Sequence, residues 1–413
     1  MSRDRQVLES LVRSQLQSSR GVTRRGFLRG ASLASLAVGA PSLLSACGTP
    51  AAQQTADSCK TTDKSAEENT LTISNWPLYI DQKRVKEGGQ KKTVYPTLDA
   101  FEEASGITVD YVTDFNDNNE FFGIVRNQLA DCQSTGRDMF VPTDWMAARM
   151  IDLGWLQKLD KANMPNVGQN LADNLASPSW DPERDYSVPW QSGLTGIAYN
   201  ADLVDEVGSF EDLLSRPDLK GKVSLLSEMH DTMIFLLLMT GADPEDFDED
   251  EFGVAIDRLA EAVDAGQIRA FTGNDYAQDL VKGNVVACEA WSGDVIQLQF
   301  DNPNIKFVAP EEGLSLWSDN MVVPNKGEHK ANAEAFMDFF YQPEVAAQVA
   351  AWVNYICPVA GAQEAMEAID PDLASNELIF PTDELLANSH DFMGLDTKTE
   401  QTYQQMFADV IGA

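Results

Sequence analysis

Basic residues are scarce in this sequence. Its 413 residues include 30 Lys and Arg against 65 Asp and Glu, which gives a formal net charge of −35. A nucleic-acid-binding protein needs a basic surface that meets the phosphates, so the charge argues against that class. A negative surface concentrates cations, which is compatible with a cationic ligand. Solubility explains most surface carboxylates equally well, so the charge indicates a class of ligand and no site.

Histidine and cysteine, which bind transition metals, are also few. The three histidines, His230, His329 and His390, are far apart, and no two cysteines form a CxxC motif. We therefore predict no metal site and no cofactor. An exported protein can form disulfides. The sequence does not assign a disulfide among Cys59, Cys132, Cys288 and Cys357. For Cys132, Cys288 and Cys357, a buried free thiol is an equally good interpretation.

A long hydrophobic run is missing near the N-terminus. The apolar stretch over residues 31–46 is interrupted by Gly39 and Pro41. A transmembrane helix needs about 20 apolar residues in succession. The stretch therefore favours the apolar region of a cleaved export signal over a permanent membrane span.

The residues around this stretch support the same interpretation. Arg24 and Arg25 precede it, and the tetrapeptide LSAC ends it at Cys47. This order resembles a twin-arginine signal followed by a lipobox. We expect residues 1–46 to be the signal, and residues 47–69 to be a lipidated cysteine followed by a flexible tether.

The rest of the chain is long enough for two domains. A helical spacing of apolar residues covers 252–263, and residues 331–353 read as two helices broken near Pro343. Runs rich in β-formers lie at 106–112, 222–226 and 304–310. This alternation predicts an α/β fold with mainly parallel sheets.

Carboxylates and aromatic residues are interleaved at the predicted strand ends, where ligands bind in open α/β sheets. Trp76 and Tyr79 follow the first strand after the tether, and Asp144 and Trp145 follow Pro142. A buried ammonium group needs a carboxylate, and aromatic faces attract cations while covering methylene groups. The pattern is therefore typical of a polyamine site. Taken singly, each aromatic residue is better explained as part of the core, and each acid as a turn or helix-start residue.

Several segments resemble known binding proteins. The runs over 209–226 and 186–200, with QPEVAAQVA in the later helix pair, resemble the type II periplasmic-binding-protein superfamily. NWPLYI (75–80), DMFVPTDW (138–145) and the turn LWSD (316–319) resemble the spermidine/putrescine-binding proteins within it. The resemblance extends from about residue 70 to the C-terminus.

This resemblance implies two lobes joined by hinge crossovers, with lobe one at 70–194 and 318–369 and lobe two at 195–317 and 370–413. A polyamine, spermidine or putrescine, would bind in the cleft of a monomer. The protein would deliver it to the permease and ATPase subunits of an ABC importer. The protein would not be an enzyme, and it would lie outside the cytoplasm, at the outer face of the cell membrane, attached by lipidated Cys47 alone.

By resemblance, ten residues occupy ligand positions: Trp76, Tyr79, Thr143, Trp145, Glu228, Asp231, Trp291, Trp317, Asp319 and Tyr355. A C-terminal amide contact of the family has no clear match around His390 to Met393.

Two alternatives remain open from the sequence. Paired carboxylates could act as acid and base in a glycoside hydrolase, although no GxSxG nucleophile motif is present. The same fold could also bind a sugar, an amino acid or a metal ion.

The export signal is directly testable. Replacing Arg24 and Arg25 with Lys should leave the precursor in the cytoplasm, because the twin-arginine pair is the recognised element. Cys47→Ala should release or misprocess the protein, because the acceptor of the lipid is gone. Immunoblots of cell fractions measure both effects. Normal membrane-anchored amounts of both variants would contradict the prediction.

Overall fold

A computed structural model describes residues 59, 61–87, 90–115 and 117–412. The predicted signal over 1–46 and the predicted lipidation site Cys47 lie outside these ranges. Within the described part of the chain, no helix is both long and apolar enough to cross a membrane.

Strands and helices alternate along the chain, which confirms the predicted α/β fold. The strands are β1 Thr70–Asn75, β2 Lys83–Glu87, β3 Gln90–Val94, β4 Thr108–Thr113, β5 Met139–Phe140, β6 Ser187–Asn200, β7 Val223–Leu226, β8 Ile268–Thr272, β9 Ala287–Trp291, β10 Ile305–Val308, β11 Leu314–Val322 and β12 Ser389–His390. The helices, apart from short 3-10 turns, are α1 Pro96–Ser105, α2 Asn118–Ala130, α3 Asp144–Asp152, α4 Pro165–Asn170, α5 Phe210–Ser215, α6 Met229–Thr240, α7 Glu249–Asp264, α8 Tyr276–Lys282, α9 Ser292–Asp301, α10 Lys330–Phe340, α11 Pro343–Val353, α12 Ala362–Ile369, α13 Pro371–Ala374, α14 Asp383–Ala387 and α15 Thr397–Ile411.

Helix starts follow the local sequence chemistry. The Asp248 side chain accepts hydrogen bonds from the backbone N–H groups of Asp250 and Glu251, and the Glu251 carboxylate accepts one from the Asp248 N–H. This capping box satisfies N–H groups that the first turn of α7 leaves unpaired. Pro343 is the first residue of α11, which confirms the predicted break between the two late helices.

One ten-stranded sheet runs through the whole fold, and β2 and β3 form a separate pair. On one side β4, β1 and β5 are parallel neighbours; on the other side β9, β7 and β8 are. Between these groups the long strands β6 and β11 pair antiparallel, and each carries one short extra strand, β10 and β12 respectively. The prediction of mainly parallel strands therefore holds for the two outer groups, whereas the central strands β6 and β11 are antiparallel.

The segment 316–319 is part of β11 and not a turn, so this prediction was wrong. Its residues pair with β6, and the register shifts between Asp319 and Asn320, which oppose Gln191 and Pro189. Such a bulge bends a strand and redirects its side chains. The Ser and Asp in LWSD are typical of turns, but long-range pairing with β6 outweighs this local preference.

Two main apolar cores lie on either side of the central strands, and β6 contributes to both. Val188 and Trp190 are buried in the first core, and Ile197 and Tyr199 in the second. We call the β4–β1–β5 group with its helices, including α2 and α3, the first half, and the β9–β7–β8 group with α6 and α7 the second half. The predicted lobe boundaries remain a proposal.

Residues 61–69, which we predicted to be part of a flexible tether, lie against the first half. The Lys64 N–H donates a 2.7 Å hydrogen bond to the Glu328 carbonyl, and the Lys326 N–H donates a 2.9 Å bond to Thr61 Oγ1. The polar composition of this segment predicted a solvated tether. Nothing in the local sequence indicated these hydrogen-bond partners, which lie far along the chain.

Cys59 and Cys132 form a disulfide with 5.5 Å between their Cα atoms. This bond joins the segment before β1 to the end of α2. The alternative of a buried thiol was therefore wrong for Cys132. Cys288 and Cys357 are buried free thiols.

Removing this disulfide should destabilise the protein. The bond closes a loop between positions that are 73 residues apart, and the loss of its constraint on the unfolded chain corresponds to about 2–4 kcal/mol. The variant Cys59→Ala/Cys132→Ala should show that decrease in urea unfolding. Reductant should shift the wild-type curve toward the variant and leave the variant unchanged. Coincident curves for the two oxidised proteins would refute the prediction.

Candidate ligand-binding site

A cavity of about 490 Å³ lies between the two halves, beside the β6–β11 pair. This volume is in the range of small-molecule sites. All ten side chains predicted from the sequence line it: Trp76, Tyr79, Thr143, Trp145, Glu228, Asp231, Trp291, Trp317, Asp319 and Tyr355. The fold brings them together, and their role in binding remains a prediction.

Asp319 lies at the bulge of β11 and is 4% exposed. Tyr79 OH donates a 2.7 Å hydrogen bond to one carboxylate oxygen, and Thr143 Oγ1 donates a 2.8 Å bond to the other. Burial raises the pKa of this carboxyl to about 7, against the lowering effect of these two hydrogen bonds. Near neutral pH the carboxylate therefore needs a proton or a cation.

The two donors to Asp319 are themselves held in place. Trp190 Nε1 donates a 3.1 Å hydrogen bond to the Tyr79 carbonyl just after β1. At the start of α3, Asn118 Nδ2 donates to Thr143 Oγ1 at 2.8 Å, and the Thr143 N–H donates to Asn118 Oδ1 at 3.1 Å. Because the Thr143 hydroxyl accepts from Asn118, its own proton is directed at Asp319.

Trp317 lies flat against the backbone of β6. A Cβ added at Gly193, its partner in the sheet register, would come within 2.3 Å of the indole, so the close approach requires glycine. Trp317 Nε1 donates a 2.9 Å hydrogen bond to Thr195 Oγ1. The Tyr355 ring lies 5.6 Å from the Trp317 ring, and together they form an apolar wall.

Four further tryptophans line the cavity, among them Trp76, Trp145 and Trp291. Trp76 Nε1 donates a 2.8 Å hydrogen bond to a backbone carbonyl of the 138–145 segment. The Trp145 indole stacks on His230 with 4.4 Å between ring centroids. Trp291 meets the Tyr276 ring edge to face at 5.9 Å. Each of these indoles is therefore held by a contact with a neighbouring group.

Glu228 and Asp231 lie at the start of α6. Thr195 Oγ1 donates a hydrogen bond to Asp231, whose pKa burial raises to about 6. Glu228 is 7% exposed, and its Oε2 has no hydrogen-bond partner. Burial, followed by the charges of Asp117 and Asp231, raises the pKa of Glu228 well above its usual value. Both carboxyls therefore favour a cationic neighbour.

Asp294 is a cavity carboxylate that was not among the predicted contacts. Tyr355 OH donates to its Oδ1 at 3.0 Å, and Tyr276 OH donates to its Oδ2 at 2.9 Å. Burial raises the pKa of the Asp294 carboxyl. It lies three residues after Trp291, at the start of α9, where the chain again passes from strand to helix. That position repeats the Asp144 pattern and could have been recognised.

Other cavity side chains were also missed. The His230 ring lies between Trp145 and Phe392, 4.6 Å from the latter, and its Nε2 is 3.2 Å from the Glu400 carboxylate. Asp391 also lines the cavity, at a position that is exposed to solvent. The segment around 390–393 therefore supplies cavity residues, although its sequence gave no clear match.

The charge of the cavity wall is strongly one-sided. Among the described residues that line it, the basic side chains are Arg149 and His230, and each already contacts an aromatic ring. The acidic ones are Asp144, Glu228, Asp231, Asp275, Asp294, Asp319, Asp391 and Glu400. Within the described ranges, no group of three His, Cys, Asp or Glu side chains could hold a metal ion. The wall can therefore neutralise several positive charges on an organic ligand.

Comparison with known families indicates the class of protein to which this chain belongs. Residues 97–381 match the model of the family described as bacterial extracellular solute-binding protein. The chain belongs to this family. A cavity at the junction of two halves is where such a solute-binding protein holds a small ligand.

Curated relatives cover most of this solute-binding protein. The chain is 26% identical over 347 residues to the spermidine/putrescine-binding periplasmic protein of Escherichia coli, which spans 83% of this chain and 92% of the relative. It is 28% identical over 367 residues to the putrescine-binding periplasmic protein PotF of the same organism. That match covers 84% of this chain and 92% of the relative.

Solved structures confirm the predicted two-lobe type II fold. The spermidine/putrescine substrate-binding protein PotD of Streptococcus pneumoniae has 26% identity and a TM-score of 0.67, with 83% of this chain and 98% of that chain covered. A spermidine/putrescine ABC transporter protein of Listeria monocytogenes has 26% identity and a TM-score of 0.71. The match covers 83% of this chain and 99% of that chain. The location outside the cytoplasm follows from the extracellular family.

Gly193→Ala should disturb the cavity of this solute-binding protein. The new methyl group would overlap the Trp317 indole, and overpacking of this kind costs about 1–3 kcal/mol. We expect a lower free energy of unfolding in urea and an altered near-UV circular dichroism spectrum. Gly168→Ala is the matched control, because a Cβ there meets nothing within 4 Å. Equal unfolding curves for the two variants would show that the indole does not require Gly193.

Proposed function

We propose that this solute-binding protein captures a polyamine, spermidine or putrescine, in the cavity and delivers it to an ABC importer. The observation that carries the proposal is the pair of buried carboxylates of Asp231 and Asp319, which have raised pKa values and form no ion pair with another described residue, in a cavity lined by tryptophan and tyrosine rings. A buried charge without a partner is costly, and ammonium groups of a ligand would remove that cost.

The shape of a polyamine fits the arrangement of polar and apolar groups. Its methylene segments need apolar faces, which Trp317, Tyr355 and Trp291 provide, and its amines need oxygen acceptors on several sides. At Asp319 the protein donates only two hydrogen bonds, from Tyr79 and Thr143. A carboxylate has about four lone-pair sites, so capacity remains for an ammonium group.

The relatives support the same ligand class. Both curated proteins described above carry polyamine names, and they match this chain over more than four fifths of its length. A further relative at 28% identity over 299 residues is named a putrescine/agmatine-binding protein. Every one of these named ligands is an aliphatic amine or guanidine that is cationic at neutral pH.

Other ligands fit the cavity less well. An amino acid brings a carboxylate that would meet an acidic wall, and the basic side chains of the wall are engaged with aromatic rings. A sugar is neutral and would leave the carboxylates without a cation. A glycoside hydrolase needs a carboxylate pair open to substrate and water, whereas Asp319 accepts two side-chain hydrogen bonds and Asp294 accepts three. We therefore propose that the protein is not an enzyme.

Transport requires that the importer recognise the loaded form. Ligand that contacts both halves favours their closure, because its binding energy is available only when the halves meet. We propose that the closed monomer docks on the permease, which acts with the ATPase subunits. The proposed anchor is lipidated Cys47, which would hold the protein at the outer face of the membrane.

Asp319→Asn should weaken polyamine binding while the fold survives. The change keeps the side-chain shape and removes one charge-assisted hydrogen bond, worth about 1.5–3 kcal/mol. The dissociation constants for putrescine and spermidine, measured by calorimetry, should therefore rise about tenfold to a hundredfold. In the wild type, affinity should increase as the pH rises through about 7, because the Asp319 carboxyl then loses its proton. This pH dependence should be weaker in the variant.

The matched control is Asp257→Asn, which removes one exposed carboxylate from α7. Its affinity should equal that of the wild type, and the melting temperature of each variant reports folding. If folded Asp319→Asn bound both polyamines as tightly as Asp257→Asn does, Asp319 would not contact the ligand. If wild-type protein freed of ligand bound maltose but neither polyamine, the proposed function would be wrong.

A further inference from the structure

The Trp145 indole of the first half stacks on the His230 ring of the second half. Their ring centroids are 4.4 Å apart, and the ring planes are inclined by 18°. Trp145 belongs to α3 and packs with the buried side chains of Phe121 and Val125. His230 lies in the first turn of α6, which packs in the core of the second half. The stack therefore joins two parts of the chain that belong to different cores.

His230 is held in place from its own half. Its Nε2 lies 3.2 Å from the carboxylate of Glu400 in α15, a helix that packs in the same core as α6. Gln404 Nε2 donates a 3.0 Å hydrogen bond to the other oxygen of this carboxylate. The Phe392 ring meets the imidazole edge to face, with 4.6 Å between the centroids. The imidazole is therefore a fixed part of the surface of the second half.

The second nitrogen of the imidazole indicates that the ring acts mainly through its flat shape. Nδ1 is buried and has no hydrogen-bond partner among the described residues. A buried polar atom normally has such a partner, and here Nε2 meets Glu400 whereas Nδ1 meets none. The other contacts of the ring are with the aromatic side chains of Trp145 and Phe392. Polar contacts alone therefore do not account for this histidine, and the stack on Trp145 does.

The stack lies beside the solute cavity, where the two halves face each other. Trp145, His230 and Phe392 all line the cavity of about 490 Å³. Glu400 lines this cavity and also a second pocket of about 310 Å³, whose walls come from α2 and α3 of the first half and from α15. Contact between Trp145 and His230 at this place requires that the halves meet.

We infer that His230 is a positioning residue for solute binding, because its ring is the surface on which Trp145 docks when the halves close. The inference rests on the proposed polyamine function. A solute that draws the halves together brings the two rings into contact, and the stack then opposes their separation. Aromatic pairs are favourable beyond the area that they bury. His230 thus acts through Trp145 and slows the release of the solute.

Two substitutions at His230 separate the flat ring from its polar contact. His230→Phe keeps a ring for Trp145, loses the contact with Glu400 and removes the buried nitrogen that has no partner. His230→Gln keeps a donor for Glu400 and removes the ring. We expect the dissociation constant for spermidine to stay close to the wild-type value in His230→Phe and to rise about threefold to tenfold in His230→Gln, which is the range of an aromatic pair.

The release rate should change together with the affinity. Within one binding site, most differences in affinity between variants lie in dissociation. Stopped-flow measurement should therefore show spermidine leaving His230→Gln about threefold to tenfold faster than the wild type, and leaving His230→Phe at nearly the wild-type rate. Calorimetry gives the affinities, and the melting temperature of each variant reports folding.

A double variant tests whether His230 acts through Trp145. In that case Trp145→Ala/His230→Gln should bind spermidine as Trp145→Ala alone does, because the partner of the ring is already gone. His329→Gln is the matched control, since His329 precedes α10 and is not among the described residues that line the cavity. Its affinity and release rate should equal those of the wild type.

Three outcomes would overturn the positioning role while polyamine binding by the wild type upheld the proposed function. They are equal losses in His230→Phe and His230→Gln, additive losses in the double variant, and a His230→Gln variant that behaves like His329→Gln. A wild type that binds no polyamine would overturn the function itself, and this inference with it.

Discussion

The antiparallel pairing of β6 with β11 is the constraint on which the rest of the structure depends. Both strands run from one half to the other, so their hydrogen bonds hold the two parallel groups in a single sheet. Strand β11 carries Trp317 and Asp319, which line the cavity, and β6 carries Gly193 and Thr195, which contact Trp317. The residues that join the halves are therefore also residues that line the proposed site, and movement of the halves would change both together.

Hydroxyl donors fix the cavity carboxylates before any ligand is present. Tyr79 and Thr143 hold Asp319, Thr195 holds Asp231, and Tyr355 holds one oxygen of Asp294. Each donor occupies part of the acceptor capacity and leaves the negative charge uncompensated. Little side-chain entropy then remains to be lost on binding, and the acidic wall keeps its preference for a cation.

Local patterns in the sequence predicted the outer strands, the helix pair at Pro343 and the carboxylate–aromatic interleaving, because each depends on neighbouring residues. They failed where distant pairing decides the structure. The LWSD segment becomes strand only through β6, and residues 61–69 are ordered by partners near position 328. Asp391 enters the cavity through a segment without a recognisable motif.

The raised pKa of Asp319 has a consequence for the durability of the empty protein. The folded-state pKa, about 7, lies above the ordinary value for aspartate, so the protonated carboxyl favours the folded state. That contribution is fully present below the unfolded-state pKa and is lost as the pH rises through about 7. A ligand that binds only the folded state restores stability by mass action. Solute supply would thus govern how long the protein resists heat and proteases outside the cytoplasm.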